Sequence, residues 1–463
     1  MSAYGALFAN VLYPFYESVL RRRKTLRYLK EYEQTQWRSP AEVCKAQTEK
    51  ARGLLSHCAA NVPYYRKLFA DVGFDPSKFE SLEQLAELPI LTRDTIRENH
   101  DALIDERLDP ASLISYGTGG STGSPLQFRI SHDFYERRMA GQFRGYRWGG
   151  WDLGRKTLWF WGVSGRVTPS LAPWRKRAKK AFYQAMWRNV VKTMYRFSDE
   201  QLGEYMDFWT RWRPESVAGY GFAMYCLARH ILDRKLSVPP PKGVLLAAEA
   251  TTPEQRAVMA EAFGCGIFNT YGSMEFNMIA GECGAHRGMH LNCDNLFVEI
   301  TRDGKPVPPG EEGEITVTAL VHRAMPFVRY TIGDVGRLAE EPCPCGRGFP
   351  LLEDVSGRTM DIVRTPENNL VSGVFFNHAM LPMKEVKRFQ VVQSSVDAMT
   401  MRIVPAEGYG PDVETRLEKA LRNALGPAIA IEFEIVDEVE MSKSGKYRVI
   451  TSTVGLSHKT EES

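Results

Sequence analysis

The chain has 463 residues, is 43% hydrophobic and 25% charged, and carries a formal net charge of +3. That length holds two or three domains with a large buried core, and the composition is that of an ordinary soluble globular protein. The charge is too small for nucleic acid to be the main partner, and no run approaches the roughly 20 apolar residues of a membrane span.

Residues 1–100 read as helices, broken at Pro63-Tyr64-Tyr65 and at Pro89-Ile90-Leu91-Thr92. The first sixteen residues are moderately apolar, but the cluster Arg21-Arg22-Arg23-Lys24 follows them instead of preceding them, which matches a signal peptide poorly. A cytoplasmic enzyme is expected, and the scattered Cys44, Cys58, Cys226 and Cys265 fit buried apolar thiols. From about residue 113 to 340 short apolar strands alternate with helices, the pattern of an α/β core. Strands are expected at Leu158–Trp161, Gly243–Ala247 and Ile267–Thr270, with a helix over Pro253–Phe263. Residues 296–338 read as a β-rich subdomain, with strands Leu296–Thr301, Gly313–Leu320 and Phe327–Arg329 and a hairpin turn at Asp303-Gly304. Beyond about 356 a smaller α+β unit follows: strands near 388–393 and 399–404, a helix over 412–425 and a strand over 430–436. The fold class is α/β, with one large domain over 1–356 and a small α+β domain over 357–463.

The stretch Ser115-Tyr116-Gly117-Thr118-Gly119-Gly120-Ser121-Thr122-Gly123-Ser124-Pro125 holds four glycines and six hydroxyl residues in eleven positions. Such a run makes poor helix and poor strand but a good loop whose N–H groups and hydroxyls can cradle a phosphate. It closes on Ser124-Pro125 where a P-loop requires Lys-Ser/Thr, so P-loop kinases and GTPases are excluded. A plain linker is disfavoured because Leu126-Gln127-Phe128-Arg129-Ile130 alternates like a strand directly after it.

Further signals lie downstream: Ala247-Ala248-Glu249, Tyr271-Gly272-Ser273-Met274-Glu275, Arg329-Tyr330-Thr331-Ile332-Gly333-Asp334, Gly357-Arg358 with Asp361, and Ser444-Gly445-Lys446. In this order and at these separations they resemble the motifs of adenylate-forming enzymes of the acyl-CoA synthetase superfamily. Within it the chain is similar to the phenylacetate–CoA ligase branch, with its capsule-biosynthesis and coenzyme F390 synthetase relatives. The resemblance runs from Val62-Pro63-Tyr64-Tyr65, through Leu88-Pro89-Ile90-Leu91-Thr92, to Lys446.

The resemblance implies ATP-dependent activation of a carboxylic acid to an acyl-adenylate, with pyrophosphate leaving. Transfer to a thiol, either CoA or a carrier phosphopantetheine on an acyl-carrier protein, then releases AMP. Such a site holds two anions together and stabilises charge on the phosphoryl oxygens. It implies a β/γ-phosphate loop at Thr118, Gly119, Gly120, Ser121, Thr122 and Gly123, flanked by Ser115 and Gly117. Glu275 would be the Mg²⁺ ligand, since a hard cation prefers carboxylate oxygen. Tyr271, with Gly272 and Ser273, would pack on adenine, and Ala248 and Glu249 would line the same pocket. Asp334 would accept both ribose hydroxyls, a task suited to a carboxylate, and Arg358 would assist at the ribose or phosphates. Lys446 would reach in from a mobile small domain that rotates about a hinge near Arg358–Asp361. Ser442-Lys443-Ser444-Gly445-Lys446 offers two lysines, and the Gly-Lys pairing matches the family at Lys446. Plainer roles stand beside these: Asp334 as a turn cap, Glu275 as a surface residue, Tyr271 as core packing.

Cys343-Pro344-Cys345-Gly346 lies in a turn-rich stretch, and Cys283 precedes His286 and His290. Two thiolates from one loop with a Cys and a His from another would form a Cys₃His zinc site, and relatives often carry a similar structural zinc. The set expected is Cys283, His290, Cys343 and Cys345, with His286 as the rival histidine and Cys293 as a spare thiol. Family members place acid-contacting residues near Tyr220, Gly221, Phe222 and Tyr225, whose aromatic character suits an aryl or arylacetic acid but equally suits a core. His132 reads as structural. The stretch 173–187 carries five cations in the six positions Arg175–Lys180 beside an aromatic-rich helix, and would contact a membrane surface (together with Arg21–Lys24), the CoA 3′-phosphate or an acidic carrier, or form a solvated face. Competing outcomes are passage of the adenylate to an amine or hydroxyl, adenylyl transfer as in coenzyme F390 synthetase, or a non-catalytic nucleotide-binding scaffold in surface-polysaccharide biosynthesis.

Overall fold

The structure, a computed structural model, describes residues 2–117, 126–161, 186–193, 199–249, 251–356, 362–367, 370–380, 383, 385–439, 449–452 and 454. Thr118–Gly123, Arg358, Asp361, Lys446 and 173–185 of the basic stretch lie outside the described residues.

The helical start is dictated by local signals. After a helix over residues 3–20 and another at Thr25–Thr35, Ser39 opens the long helix Pro40–Asn61. The Ser39 hydroxyl accepts from the Glu42 N–H while the Glu42 carboxylate accepts from the Ser39 N–H, with Pro40 in the first turn. Pro63–Val72 follows. The apolar faces of these two helices (Leu54, Leu55, Cys58, Tyr65, Phe69) share one core with Ile300, Ile315, Val317, Phe327 and Tyr330.

Strands β1 (Ile114–Gly117) and β2 (Gln127–Ile130) pair antiparallel on either side of the Ser/Thr/Gly stretch. The following strands are β3 (Thr157–Phe160), β4 (Asn189–Lys192), β5 (Ser216–Tyr220), β6 (Val244–Ala247), β7 (Ile267–Ser273), β8 (Asn277–Glu282), β9 (Met289–Leu291), β10 (Leu296–Arg302), β11 (Lys305–Pro306), β12 (Glu312–Ala319), β13 (Tyr330–Leu338) and β14 (Leu351–Ser356). They form one sheet of 12 strands in the order β11-β10-β12-β13-β14-β9-β8-β7-β6-β5-β3-β4. From β4 to β7 the pairing is parallel, and from β7 to β11 it is antiparallel. Strand β7 is therefore the seam between the two halves, and the β-rich stretch 296–338 continues the same sheet. Asp303 and Gly304 both have positive φ, 52° and 75°, as the two-residue turn between β10 and β11 requires. Helices Asp199–Trp212, Gly221–Asp233 and Pro253–Phe263 pack on the parallel half through Trp209, Leu227 and Phe263.

A further core is made entirely of residues between Val363 and Ile450. It contains β15 (Ile362–Arg364) paired with β16 (Leu370–Ser372), and a four-stranded sheet of β17 (Val386–Gln393), β18 (Ala398–Pro405), β19 (Ala430–Ile435) and β20 (Ile450–Ser452). The amphipathic helix Pro411–Leu425 buries Val413, Leu417 and Leu421 in it.

One expected strand is absent. Phe327–Arg329 is irregular, and β13 begins at Tyr330. Arg329 sits at φ 53°, and its buried guanidinium is held by Glu299 at 3.2 and 3.1 Å and by the Leu88 and Gly304 carbonyls at 2.6 and 2.8 Å. Satisfying those donors in the interior outweighs an extended backbone at this position.

Candidate functional site

The parallel strands end on one side of the sheet, and the residues singled out from the sequence follow those ends. Tyr220 ends β5 and Gly221 starts the next helix; Ala248 and Glu249 follow β6; Tyr271, Gly272 and Ser273 close β7, with Glu275 in the turn to β8. Open α/β sheets bind ligands in the crevice at these carboxyl ends, beside a change of strand order or direction.

Two hydrogen-bonded pairs tie β7 and the turn that follows it to β13. The Tyr271 hydroxyl donates to Asp334 Oδ2 at 2.9 Å, and the Tyr330 hydroxyl donates to Glu275 Oε1 at 2.9 Å. Arg93 Nε in turn donates to the Tyr330 oxygen at 3.3 Å. Arg93 arrives because Leu91, in the segment Leu88–Thr92, bridges to Tyr330: its N–H donates to the Arg329 carbonyl at 2.9 Å and its carbonyl accepts from Thr331 at 3.1 Å. Burial and the neighbouring Glu275 charge raise the Tyr330 phenol above its ordinary range, so it keeps its proton, donating to Glu275 while its oxygen accepts from Arg93. Glu275 is only 2% exposed and forms no ion pair with a Lys or Arg among the described residues. A buried carboxylate in that state suits a divalent cation.

Arg138 is a site neighbour with no motif to announce it. It lies on the helix His132–Trp148, donates to the Met274 and Glu275 carbonyls at 2.8 and 3.0 Å, and stacks over the Tyr116 ring on β1 at 4.8 Å. It thus braces the Glu275 turn against the base of the Ser/Thr/Gly stretch, where Ser115 and Gly117 pair with Arg129 and Gln127. Tyr330 and Arg93 were likewise invisible as site residues, although Tyr330 sits inside a stretch the sequence marks and Arg93 directly follows one. His132 opens that same helix.

Gly272 admits no side chain: a Cβ there would lie 2.0 Å from the Asn277 carbonyl oxygen, so the β7–β8 turn closes only over glycine. Ala248 has φ 66°, a left-handed conformation costly for alanine, at the mouth of the crevice. Glu249 Oε2 accepts from the Phe222 N–H at 2.7 Å, joining the β6 end to the β5–helix junction. Tyr220 and Phe222 are buried in the core of the parallel half, Tyr220 stacked on Trp161 at 4.8 Å, and half-buried Tyr225 packs on the same cluster.

On the far side of β8, four ligand-type atoms converge. Cys283, His290, Cys343 and Cys345 present their sulfur and nitrogen atoms within 4.8 Å of one another. Cys283 follows β8, His290 lies in β9 opposite Gly281 and Leu351, and the two other thiols come from the turn between β13 and β14. Tetrahedral zinc sets S···S and S···N edges of about 3.8 and about 3.5 Å. The Cys283 and Cys343 sulfurs are 3.7 Å apart, and Cys345 Sγ lies 3.3 Å from His290 Nε2. His290 Nδ1 faces the Phe349 carbonyl at 3.3 Å, the contact that leaves Nε2 free as a ligand, and burial pushes the imidazole down to about 4. The donor set fits zinc. His286 turns away: its Nδ1 faces Glu282 Oε1 at 3.1 Å and Arg256 Nη2 at 3.2 Å. Cys293 is not among the four.

This fold is that of the adenylate-forming acyl-CoA ligases. It matches 2-hydroxyisobutyryl-CoA ligase bound to 2-HIB-AMP and CoA in the thioesterification state with a TM-score of 0.59 and 20% identity, over 89% of this chain and 90% of that one. Residues 363–453 match the CapK C-terminal domain family. Protein CapK of Staphylococcus aureus is 24% identical over 94% of both chains. The phenylacetate-coenzyme A ligase of Thermus thermophilus is 27% identical over 70% of this chain and 72% of the relative. The likeness to the adenylate-forming superfamily read from the motifs therefore holds for fold and relatives alike. No helix among the described residues is long and apolar enough to cross a membrane.

Proposed function

We propose that the chain activates a carboxylic acid with ATP, forming an acyl-adenylate and pyrophosphate, and passes the acyl group to a thiol with release of AMP. The observation that supports this most is the pair of phenol–carboxylate contacts at the seam of the sheet, Tyr271 to Asp334 and Tyr330 to Glu275. Asp334 accepts the ribose hydroxyls, and Tyr271 fixes its carboxylate while presenting its ring to adenine. Ala248, Glu249, Gly272 and Ser273 complete the nucleotide pocket. Glu275 would hold Mg²⁺, which when bound neutralises phosphate charge. Tyr330 and Arg138 hold the turn that carries Glu275.

Thr118 and the residues around it, Arg358 and Lys446 are assigned from the family motifs: the first to the β/γ-phosphates, the second to the ribose side, the third to the reacting carboxylate and phosphate. The catalytic set is Lys446, Glu275 and Thr118. The acid pocket is assigned to the Tyr220–Tyr225 segment, and the acceptor to CoA or a carrier phosphopantetheine. The domain boundary lies after residue 356, and rotation of 357–463 would exchange Lys446 for a thioester-forming surface. Zinc, held by Cys283, His290, Cys343 and Cys345, would be structural, since four protein ligands leave no open position. The reaction is placed in the cytoplasm, with 173–187 as a peripheral membrane contact.

The test is acid-dependent pyrophosphate release with ATP and Mg²⁺ over aryl, arylacetic, fatty and amino acids, with and without CoA. Release that needs one acid and turns over only with CoA is expected. Release that turns over only with an amine or alcohol would move the acceptor, and ATP binding without release under any acid would overturn the reading.

A further inference from the structure

The helix over residues 3–20 is inside out for a surface helix. Its protein-facing side buries Phe8, Tyr13 and the one charged residue it has, Glu17. Phe8 and Tyr13 pack on Trp187 at 5.5 and 4.7 Å, and Tyr13 packs on Phe143 at 6.5 Å. Glu17 is held by Thr25 Oγ1 at 3.0 Å and by Arg23 Nη1 at 3.4 Å. The outer side carries Tyr4, Leu7, Val11, Leu12, Phe15, Val19 and Leu20, each between 37% and 62% exposed, and no charge.

The stripe is straight for a structural reason. Tyr13 N–H bonds back to the Phe8 carbonyl and Arg21 N–H to the Tyr16 carbonyl, five residues apart, so the turns are wider than α-helical ones. Widened turns keep the four-residue repeat Leu7, Val11, Phe15, Val19 close to one line along the helix. Contiguous exposed apolar surface of this kind marks a contact face.

Charge says what covers it. Directly after the helix, Arg21 to Lys30 hold six cations and no acid. Arg22, Lys24, Arg27 and Lys30 are exposed. A second copy docked through this same helix would bring the cations no acid from it, because its one acid, Glu17, is buried. We propose that residues 3–20 lie flat on an anionic phospholipid bilayer, with the apolar stripe in the acyl boundary and the Arg21–Lys30 cations on lipid phosphates. This contact stands on a different segment from 173–187 and is independent of the reaction assigned to the chain.

The test is density-gradient flotation of the full chain with vesicles of phosphatidylcholine alone, or of phosphatidylcholine with phosphatidylglycerol. The wild type is expected to float with the anionic vesicles, to remain behind with the neutral ones and to be released by salt. Val11→Asp with Phe15→Asp is expected to lower partitioning about tenfold or more, and Arg22→Glu with Lys24→Glu to weaken it. Val72→Asp, at an exposed apolar position on another helix, is expected to leave it unchanged. Absence of wild-type flotation with anionic vesicles overturns the proposal, whatever the variants do. So does equal flotation of the paired aspartate variant, shown folded by circular dichroism. Light scattering that shows an oligomer dissolved by those aspartates, with no lipid binding, would assign the face to a second copy.

Discussion

Tyr271 and Asp334, 63 positions apart in the chain, meet through a 2.9 Å hydrogen bond that crosses from β7 to β13. The contact orients a carboxylate otherwise free to rotate, and it sets the aromatic ring beside the proposed ribose position. Tyr271→Phe is expected to lower kcat/KM for ATP about tenfold, the cost of one orienting hydrogen bond, and Asp334→Ala about a hundredfold. Pyrophosphate release at varied ATP measures both; equal activity of Asp334→Ala and wild type would remove Asp334 from the nucleotide site.

Glu275 and Tyr330 allow the metal and positioning roles to be separated. Glu275→Gln keeps an acceptor for the Tyr330 hydroxyl but removes the charge, so pyrophosphate release is expected to fall about a hundredfold and to need more Mg²⁺. Tyr330→Phe keeps the charge and loses only its donor, for a drop of about tenfold. A Mg²⁺ titration of the two variants decides, and an unchanged Mg²⁺ requirement in Glu275→Gln would count against the assignment.

The thiol–imidazole quartet predicts one zinc ion per chain by elemental analysis. Cys343→Ser and His290→Ala are expected to lose it and to lower Tm, because a structural site contributes its binding energy to folding. His286→Ala is expected to retain it, since that imidazole faces Glu282 and Arg256. Metal-free wild-type protein with unchanged Tm would end the zinc assignment.

His322 gives the chain an acid weakness. Its ring is fully buried against Phe134 at 4.2 Å, neither nitrogen has a hydrogen-bond partner, and burial pushes its pKa from 6.5 down to about 3. The folded state keeps the ring neutral while the unfolded state protonates it. Its contribution to stability is therefore intact above the unfolded pKa and is lost progressively as pH falls from 6.5 toward 3. His322→Phe keeps the stacked ring and removes the titration. Urea melts of the two proteins are expected to diverge below pH 6.5, the variant being the more stable, and parallel curves would refute this.

The buried Arg329–Glu299 pair is a structural counterpart to the site. Arg329→Met strands the Glu299 carboxylate and orphans the Leu88 and Gly304 carbonyls, at a cost of about 3–5 kcal/mol in urea unfolding. A change near zero would show that Glu299 finds another partner.

Much of the architecture is local and could be read without coordinates. Helix Pro253–Phe263 lies where the sequence puts it, framed by Thr252 with Gln255 and by Gly264, because caps act within a few residues. Strands β12, β17, β18 and β19 lie within two residues of their expected limits, since alternation is a property of the segment itself. The Asp303-Gly304 turn follows from backbone preference alone. The Cys/His quartet was also legible, because thiols and imidazoles are rare and their chemistry is narrow.

What only the tertiary structure decided are choices between equivalent local options. His286 and His290 look alike in sequence; the β8–β9–β14 pairing sends His290 to the thiols and leaves His286 with Glu282. Tyr330, Arg93 and Arg138 gain their places only when segments 55 to 237 residues apart fold together. Phe327–Arg329 reads as strand, yet the interior's demand for paired charge takes Arg329 out of it. The moderately apolar start of the chain gives no sign of facing; the fold buries Phe8 and Tyr13 and leaves Leu7, Val11, Phe15 and Val19 outward. Local pattern says which face of a helix is apolar, and packing against distant residues alone decides whether that face looks inward.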